Sequence, residues 1–166
     1  MFPWQKLFVD MAVFTTFFSL FVLGTLRWKP RLWLQDFPAD IQALAGPKTP
    51  AEKRLTQMIG IPFILLFFGL PLLLSWDLKA VWGAGFSFVD AWLYGYALFF
   101  GVNLWDLVVI DWLGSLLIDP NNPPIAGTAG AKGYRDYAFH FYAFLKGCVL
   151  GIVFAAFFAV VITFLA

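Results

Sequence analysis

The sequence predicts an all-α polytopic membrane protein: four transmembrane helices in one antiparallel bundle spanning residues 1–166, with a short amphipathic interfacial helix in the first cytoplasmic loop. Three observations predict it. Hydrophobic residues make up 61% of the chain and charged residues 13%, where a soluble domain carries roughly 25% charge. Mean hydropathy is +0.81. Four apolar stretches, residues 7–26, 58–76, 97–118 and 137–165, each reach the length of about 20 residues that crosses roughly 30 Å of hydrocarbon.

The first span carries Asp10, lacks a small-x-small cleavage site and is closed by Arg27, Lys29 and Arg31, so it reads as a retained helix with a stop-transfer flank rather than a signal peptide. In the loop that follows, Phe37, Ile41, Leu44 and Ala45 recur at helical spacing ahead of the stop signal Gly46-Pro47. This segment is expected to lie apolar face down on the membrane surface. Thr49-Pro50-Ala51-Glu52 is a capping box with proline at the first helical position, so a helix starts there and feeds the second span. Pro62 and Pro71 each remove a backbone donor, which predicts a kink.

The run into the third span starts near Phe86 in the headgroup layer, with Trp92, Tyr94 and Tyr96 as interfacial aromatics and Asp90 near water. Asp119-Pro120-Asn121-Asn122-Pro123-Pro124 cannot be helical and reads as a rigid extended turn. Gly127, Gly130 and Gly133 follow, read as a flexible connector whose free amides ahead of a helix also suit an anion such as a lipid phosphate. In the fourth span, Gly147, Gly151, Ala155 and Ala159 form a small-residue stripe that permits close helix contact, within the chain or in a dimer.

Charge sets the expected orientation. Arg27, Lys29, Arg31, Lys48, Lys53, Arg54, Lys132 and Arg135 fall in loops 27–57 and 119–136, against Lys6 and Lys79 on the other side. The positive-inside rule then places both loops in the cytoplasm and both termini outside, in a cytoplasmic (inner) membrane. A net charge of +1 leaves no basic surface for nucleic acid. One cysteine, Cys148, excludes an intrachain disulfide, a C-x-x-C pair and a four-thiolate metal site.

Asp106, Asp111 and Lys146 stand inside the spans, where a charge costs about 2.5–3.5 kcal/mol. Counted from the shared loop end at about 1.5 Å per residue, Asp106 falls level with Lys146, and Asp111 with His140 and Tyr142. Two rungs are expected: Asp106 with Lys146, and Asp111 with His140 or Tyr142. At 100° per residue Asp106 and Asp111 diverge by about 140°, so the two cannot share one small ion, and Asn103 lies between them in azimuth. Asp136 with His140, and Tyr142 with Lys146, share helix faces at i, i+4.

The bland reading of this layer is a set of neutralised pairs that hold helix register. The functional reading takes Asn103, Asp106, Asp111, Arg135, His140, Tyr142 and Lys146 as a polar pocket between the third and fourth spans that binds a small ligand, ion or proton and serves transport. Two other readings stand beside it. One is an enzyme acting on a lipophilic substrate at the cytoplasmic face, with His140 as general acid or base, Asp136 or Asp111 orienting it and Arg135 holding an anionic head group. The other is an accessory subunit of a larger membrane complex. A lone histidine among aromatics reads as a hydrogen-bonded helix residue before a haem ligand. No metal site is assigned and the cofactor stays unspecified; the expected partners are the lipid bilayer, a lipophilic small molecule and further copies or a larger complex.

Asp106-Leu107-Val108-Val109-Ile110-Asp111-Trp112-Leu113, then Gly127-Thr128-Ala129-Gly130, then Tyr134-Arg135-Asp136-Tyr137-Ala138-Phe139-His140-Phe141 resembles a group of uncharacterised bacterial four-span integral membrane proteins. Where that group's pattern has a proline and a glutamate, this chain has Ala126 and Ala129. The group has no established function. The resemblance implies the four-span topology and points to Asp106, Asp111, Asp136 and His140.

Overall fold

The computed structural model describes residues 1–166, and it is built of helices with no strand. Helix α1 is Trp4–Trp28, α2 is Ala39–Ala45, α3 is Pro50–Trp82, α4 is Phe88–Leu117 and α5 is Tyr137–Phe164. All but α2 are long and apolar enough to cross a membrane. The chain is a multi-pass membrane protein. Because successive spans alternate in direction, the connections after α1 and α4 lie together at one end, called here the loop end, and the chain termini lie at the other.

Two helices start earlier than their apolar runs because caps start them. Thr49 accepts from the Glu52 amide and the Glu52 carboxylate accepts from the Thr49 amide, so α3 begins at Pro50. Ser87 and Asp90 form the same reciprocal box at the head of α4, which starts at Phe88, close to the Phe86 start expected and ahead of the apolar stretch over residues 97–118. Asp90 is a cap, and Tyr94 one turn later is not an interfacial aromatic. Its side chain is 0% exposed and points into the bundle.

The core is an apolar stack of Phe14, Phe18 and Val22 from α1, Leu98, Phe99 and Val102 from α4, and Phe158, Ala159 and Ile162 from α5. Phe67 of α3 reaches in among them, with ring centroids 5.8 Å from Phe14, 5.6 Å from Phe99 and 6.1 Å from Phe154. The first half of α3 is peripheral, and Pro50–Ile64 contains no buried residue, whereas Pro71, Ser75 and Leu78 in its second half are buried. The closest pairing is α4 on α5. Gly95 is pressed against the Phe158 ring, Gly147 against the Asn103 amide, and Gly151, Ala155 and Ala159 are buried. The small-residue stripe thus packs within the chain.

Both α3 and α4 depart from α geometry. A π turn runs over Leu65–Gly69 in α3, between Pro62 and Pro71, whose missing amides loosen the ladder there. The disturbance expected at the two prolines is seen as this change of hydrogen-bond pattern. In α4 a longer π stretch covers Asp106–Leu113 with no proline near it; the Gly114 amide bonds the Val109 carbonyl five residues back.

The loop end differs from expectation. Helix α2 forms, but its Ile41 is 0% exposed and packs with Leu34, Ile125 and Tyr134 in a second small core, so Ile41 meets the second loop while Leu44 alone of the apolar face stays exposed. The Asp40 carboxylate accepts from the Gly133 amide at 2.8 Å, and a side chain at Gly133 would strike Asp40 and Pro38. The second loop is therefore a packed cap and not a flexible connector. Thr128 and Tyr134 hydroxyls bond at 2.7 Å, and Gly127 and Gly130 take φ of +83° and +76° that side chains rarely adopt. Arg31 closes the first loop, its Nε 2.6 Å from Glu52 and its Nη1 donating to the Ala45 carbonyl.

Phe158→Ala should remove the ring that fills the Gly95 contact. In lipid the unpacked surface is not returned to water, so the expected loss is about 1–3 kcal/mol, below the ~3–5 typical of soluble cores. Gly24→Ala, with nothing within 4 Å of the added carbon, should be neutral or slightly stabilising. Unfolding by sodium dodecyl sulfate in mixed micelles compares the two, and equal losses would contradict this packing.

Candidate functional site

The π stretch decides what α4 presents. An α-helix would turn Asp106 and Asp111 well apart, as the 100° count required. Hydrogen bonds from i to i+5 widen the turn beyond the 3.6 residues of an α-helix, which narrows the angle between positions five apart. Asp106 and Asp111 accordingly line the same cavity. The expectation that they diverge is corrected by this backbone geometry.

Helix α5 supplies the partner. The Asp136 carboxylate accepts from the Phe139 amide at 2.9 Å and caps the helix, which sets His140 in its first turn. His140 Nδ1 lies 3.0 Å from Asp111 Oδ2, with side chains 15% and 24% exposed. Nε2 makes no hydrogen bond. Ser115 donates to the Asp111 carbonyl at 2.5 Å, tying down the end of the π stretch.

Around these groups is a cavity of about 650 Å³ at the loop end of the bundle. It is not confined to the third and fourth spans: Phe18 and Arg27 of α1, Trp33 and Asp36 of the first loop, Phe63 of α3 and Tyr134 of the second loop also line it. Asp106 enters it with no hydrogen-bond partner and no ion pair. Asp36 is held only by the Gln35 amide, at 2.7 Å. No protein-family model matches the chain, and no curated protein and no solved structure matches it either.

The remaining predicted residues fall elsewhere. Lys146 and Tyr142 are exposed on the outer face of α5, Tyr142 by 63%, so neither the Asp106–Lys146 rung nor an Asp111–Tyr142 contact forms. Asp136 is committed to its cap and does not orient His140; Asp111 does. Arg135 is exposed and donates to the Ile118 carbonyl at 3.4 Å, outside the cavity. Asn103 is a fastener between helices, donating to the Phe144 carbonyl at 3.0 Å and contacting Cys148 Sγ at 3.6 Å. No group of three or more His, Cys, Asp or Glu is arranged to hold a metal ion.

Two features escaped the sequence reading. Asp36 and Trp33 sit in a short 3₁₀ turn whose position over the bundle mouth no local pattern announces. The second is a polar knot at the opposite end. Asp10, 4% exposed, accepts from Tyr94 at 2.8 Å and Ser75 at 3.2 Å and pairs with Lys6 at 3.3 Å, and Lys6 also meets Asp77 at 2.7 Å. The i, i+4 spacing of Lys6 and Asp10 was the available signal.

Although the Asp36 carboxyl faces open space, that space is a protein-walled cavity. Loss of bulk water raises its pKa above the ordinary 3.8; the Gln35 amide and Lys48 pull it down less strongly, and the charge of Asp111 adds to the rise. A carboxyl with a raised folded pKa binds its proton more tightly folded than unfolded. Its penalty is absent below 3.8, grows as pH rises through the folded pKa and is constant above. Asp36→Asn should therefore match the wild type in acid and gain on it toward neutrality, read by denaturation at a series of pH values.

Double-mutant cycles test the rungs. Asp111→Asn with His140→Gln should show a coupling of at least about 1 kcal/mol, while Asp106→Asn with Lys146→Met should add within about 0.5 kcal/mol. Coupling in the second cycle would restore the rung that the structure lacks.

Proposed function

We propose that this protein binds a small ligand, ion or proton in the loop-end cavity and serves its transport across the membrane. The observation that carries the reading is Asp106: a carboxylate within a membrane-spanning helix, lining a cavity, without a partner. Such a group is costly unless something compensates it, and intramembrane acids that the protein leaves unpaired are usually functional. The cavity volume of about 650 Å³ suits a small organic ligand, within the usual 300–1,000 Å³. In this proposal the loop end faces the cytoplasm of an inner-membrane protein, following the positive charges, and the chain joins the four-span group it resembles, working alone or as a homo-oligomer.

A second reading has one observation in its favour. Asp111 holds His140 through Nδ1, Nε2 makes no hydrogen bond, and His140 lines the cavity, a combination that suits an oriented general base. Under it the protein is an enzyme acting on a lipophilic substrate. Arg135 and Asp136 have no part in that version, since neither reaches the cavity.

Native mass spectrometry of protein extracted gently from its own membrane tests binding. A retained small mass is expected, lost in Asp106→Asn while helicity and size-exclusion profile stay unchanged. A mass that survives both Asp106→Asn and the cavity-filling change Gly114→Leu would place the ligand elsewhere and overturn the proposal. Turnover that disappears in His140→Gln with the ligand still retained would favour the enzyme.

A further inference from the structure

Resting on that reading of the cavity, we infer that its ligand is a lipophilic organic cation, a positively charged head on an apolar or aromatic body. The charge balance of the walls is the first argument. Three carboxylates line the cavity, Asp36, Asp106 and Asp111, against His140 and Arg27. The imidazole is already committed to Asp111 at 3.0 Å, and Arg27 is an exposed residue in the last turn of α1. Lys48 lies near Asp36, but its ammonium is spent on the Leu32 carbonyl, Thr56 and Gln35, outside the lining. Lys146 faces away. Two carboxylates therefore meet the cavity without a cation of the protein's own.

The second argument is the material between those charges. Phe18, Trp33, Phe63, Phe139 and Tyr134 are among the lining residues. Aromatic faces carry negative potential and attract cations, more strongly where water is excluded, while their area receives an apolar body. An anion would meet unpaired carboxylates, and a neutral ligand would leave Asp106 uncompensated in a low-dielectric site. A bare inorganic cation leaves most of about 650 Å³ unfilled and lacks a converging ligand set. A cation with an apolar body satisfies both charge and volume.

Tetraphenylphosphonium and tetraphenylborate are a matched test, alike in size and shape and opposite in charge. Equilibrium dialysis against the full chain in lipid nanodiscs would score as specific only the saturable part removed by Gly114→Leu, which projects into the cavity from a position with nothing closer than 3.9 Å to the added carbon. Ala143→Phe on α5 is a second filler. The phosphonium should bind once per chain, weaken at least tenfold in Asp106→Asn and recover most of its affinity in Asp106→Glu. The borate should show no specific part. Specific binding of the borate, or phosphonium binding indifferent to Asp106→Asn, would overturn the cation assignment and leave the cavity reading standing. Absence of any part sensitive to both fillers, for either ion, would overturn both.

Discussion

The close packing of α5 on α4 is the constraint from which the site follows. Gly147, Gly151, Ala155 and Ala159 let the two helices approach, with Asn103 and Tyr96 lying against the first two glycines. Lipid offers no hydrophobic drive for helix association, so such approach by small residues and cross-helix hydrogen bonds carries the weight. Once Gly147 faces α4, rotation of α5 is set. His140, two turns earlier, returns to within about 20° of that face, whereas Lys146 is about 100° away and Tyr142 about 140°. One packing decision thus sends the imidazole into the bundle and the ammonium out to the membrane.

The π stretch of α4 completes what the packing begins. In α3, proline explains the departure from α geometry; in α4, no residue between Asp106 and Leu113 forbids an ordinary helix. π turns are rare and concentrate at functional sites. Here the turn has an identifiable product, since it brings Asp106 round to the face that Asp111 already shares with His140. The backbone irregularity and the carboxylate layer are one feature.

The spans were legible because apolar run length speaks directly to bilayer thickness, and the capping box of Thr49 with Glu52 was read directly, whereas the same pattern in Ser87 with Asp90 was passed over because Asp90 was taken only as lying near water. Asp111 with His140 was found by depth alone. Lys146 was misassigned by the same count, because depth ignores azimuth; the glycine stripe held the azimuth and was read only as packing. The divergence of Asp106 from Asp111 came from assuming 100° per residue, and nothing local signals a π turn. The folded cap was hidden for a different reason. Ile41, Ile125 and Tyr134 meet across some 90 residues, and a seven-residue amphipathic helix looks the same whether it rests on lipid or on another loop.

The two ends of the bundle answer the same physical test differently. At the terminus end Asp10 is nearly inaccessible but fully engaged, by Tyr94, Ser75 and Lys6. A satisfied buried network stiffens a fold and needs nothing more. At the loop end Asp106 has a cavity in place of partners. Between them the rings of Phe14, Phe67, Phe99 and Phe154 fill the bundle axis, so the second carboxylate cannot borrow the lysine of the first. Compensation for it is left to the loop-end cavity, and this is why the proposed ligand is placed in the cavity and not at any one polar residue taken singly.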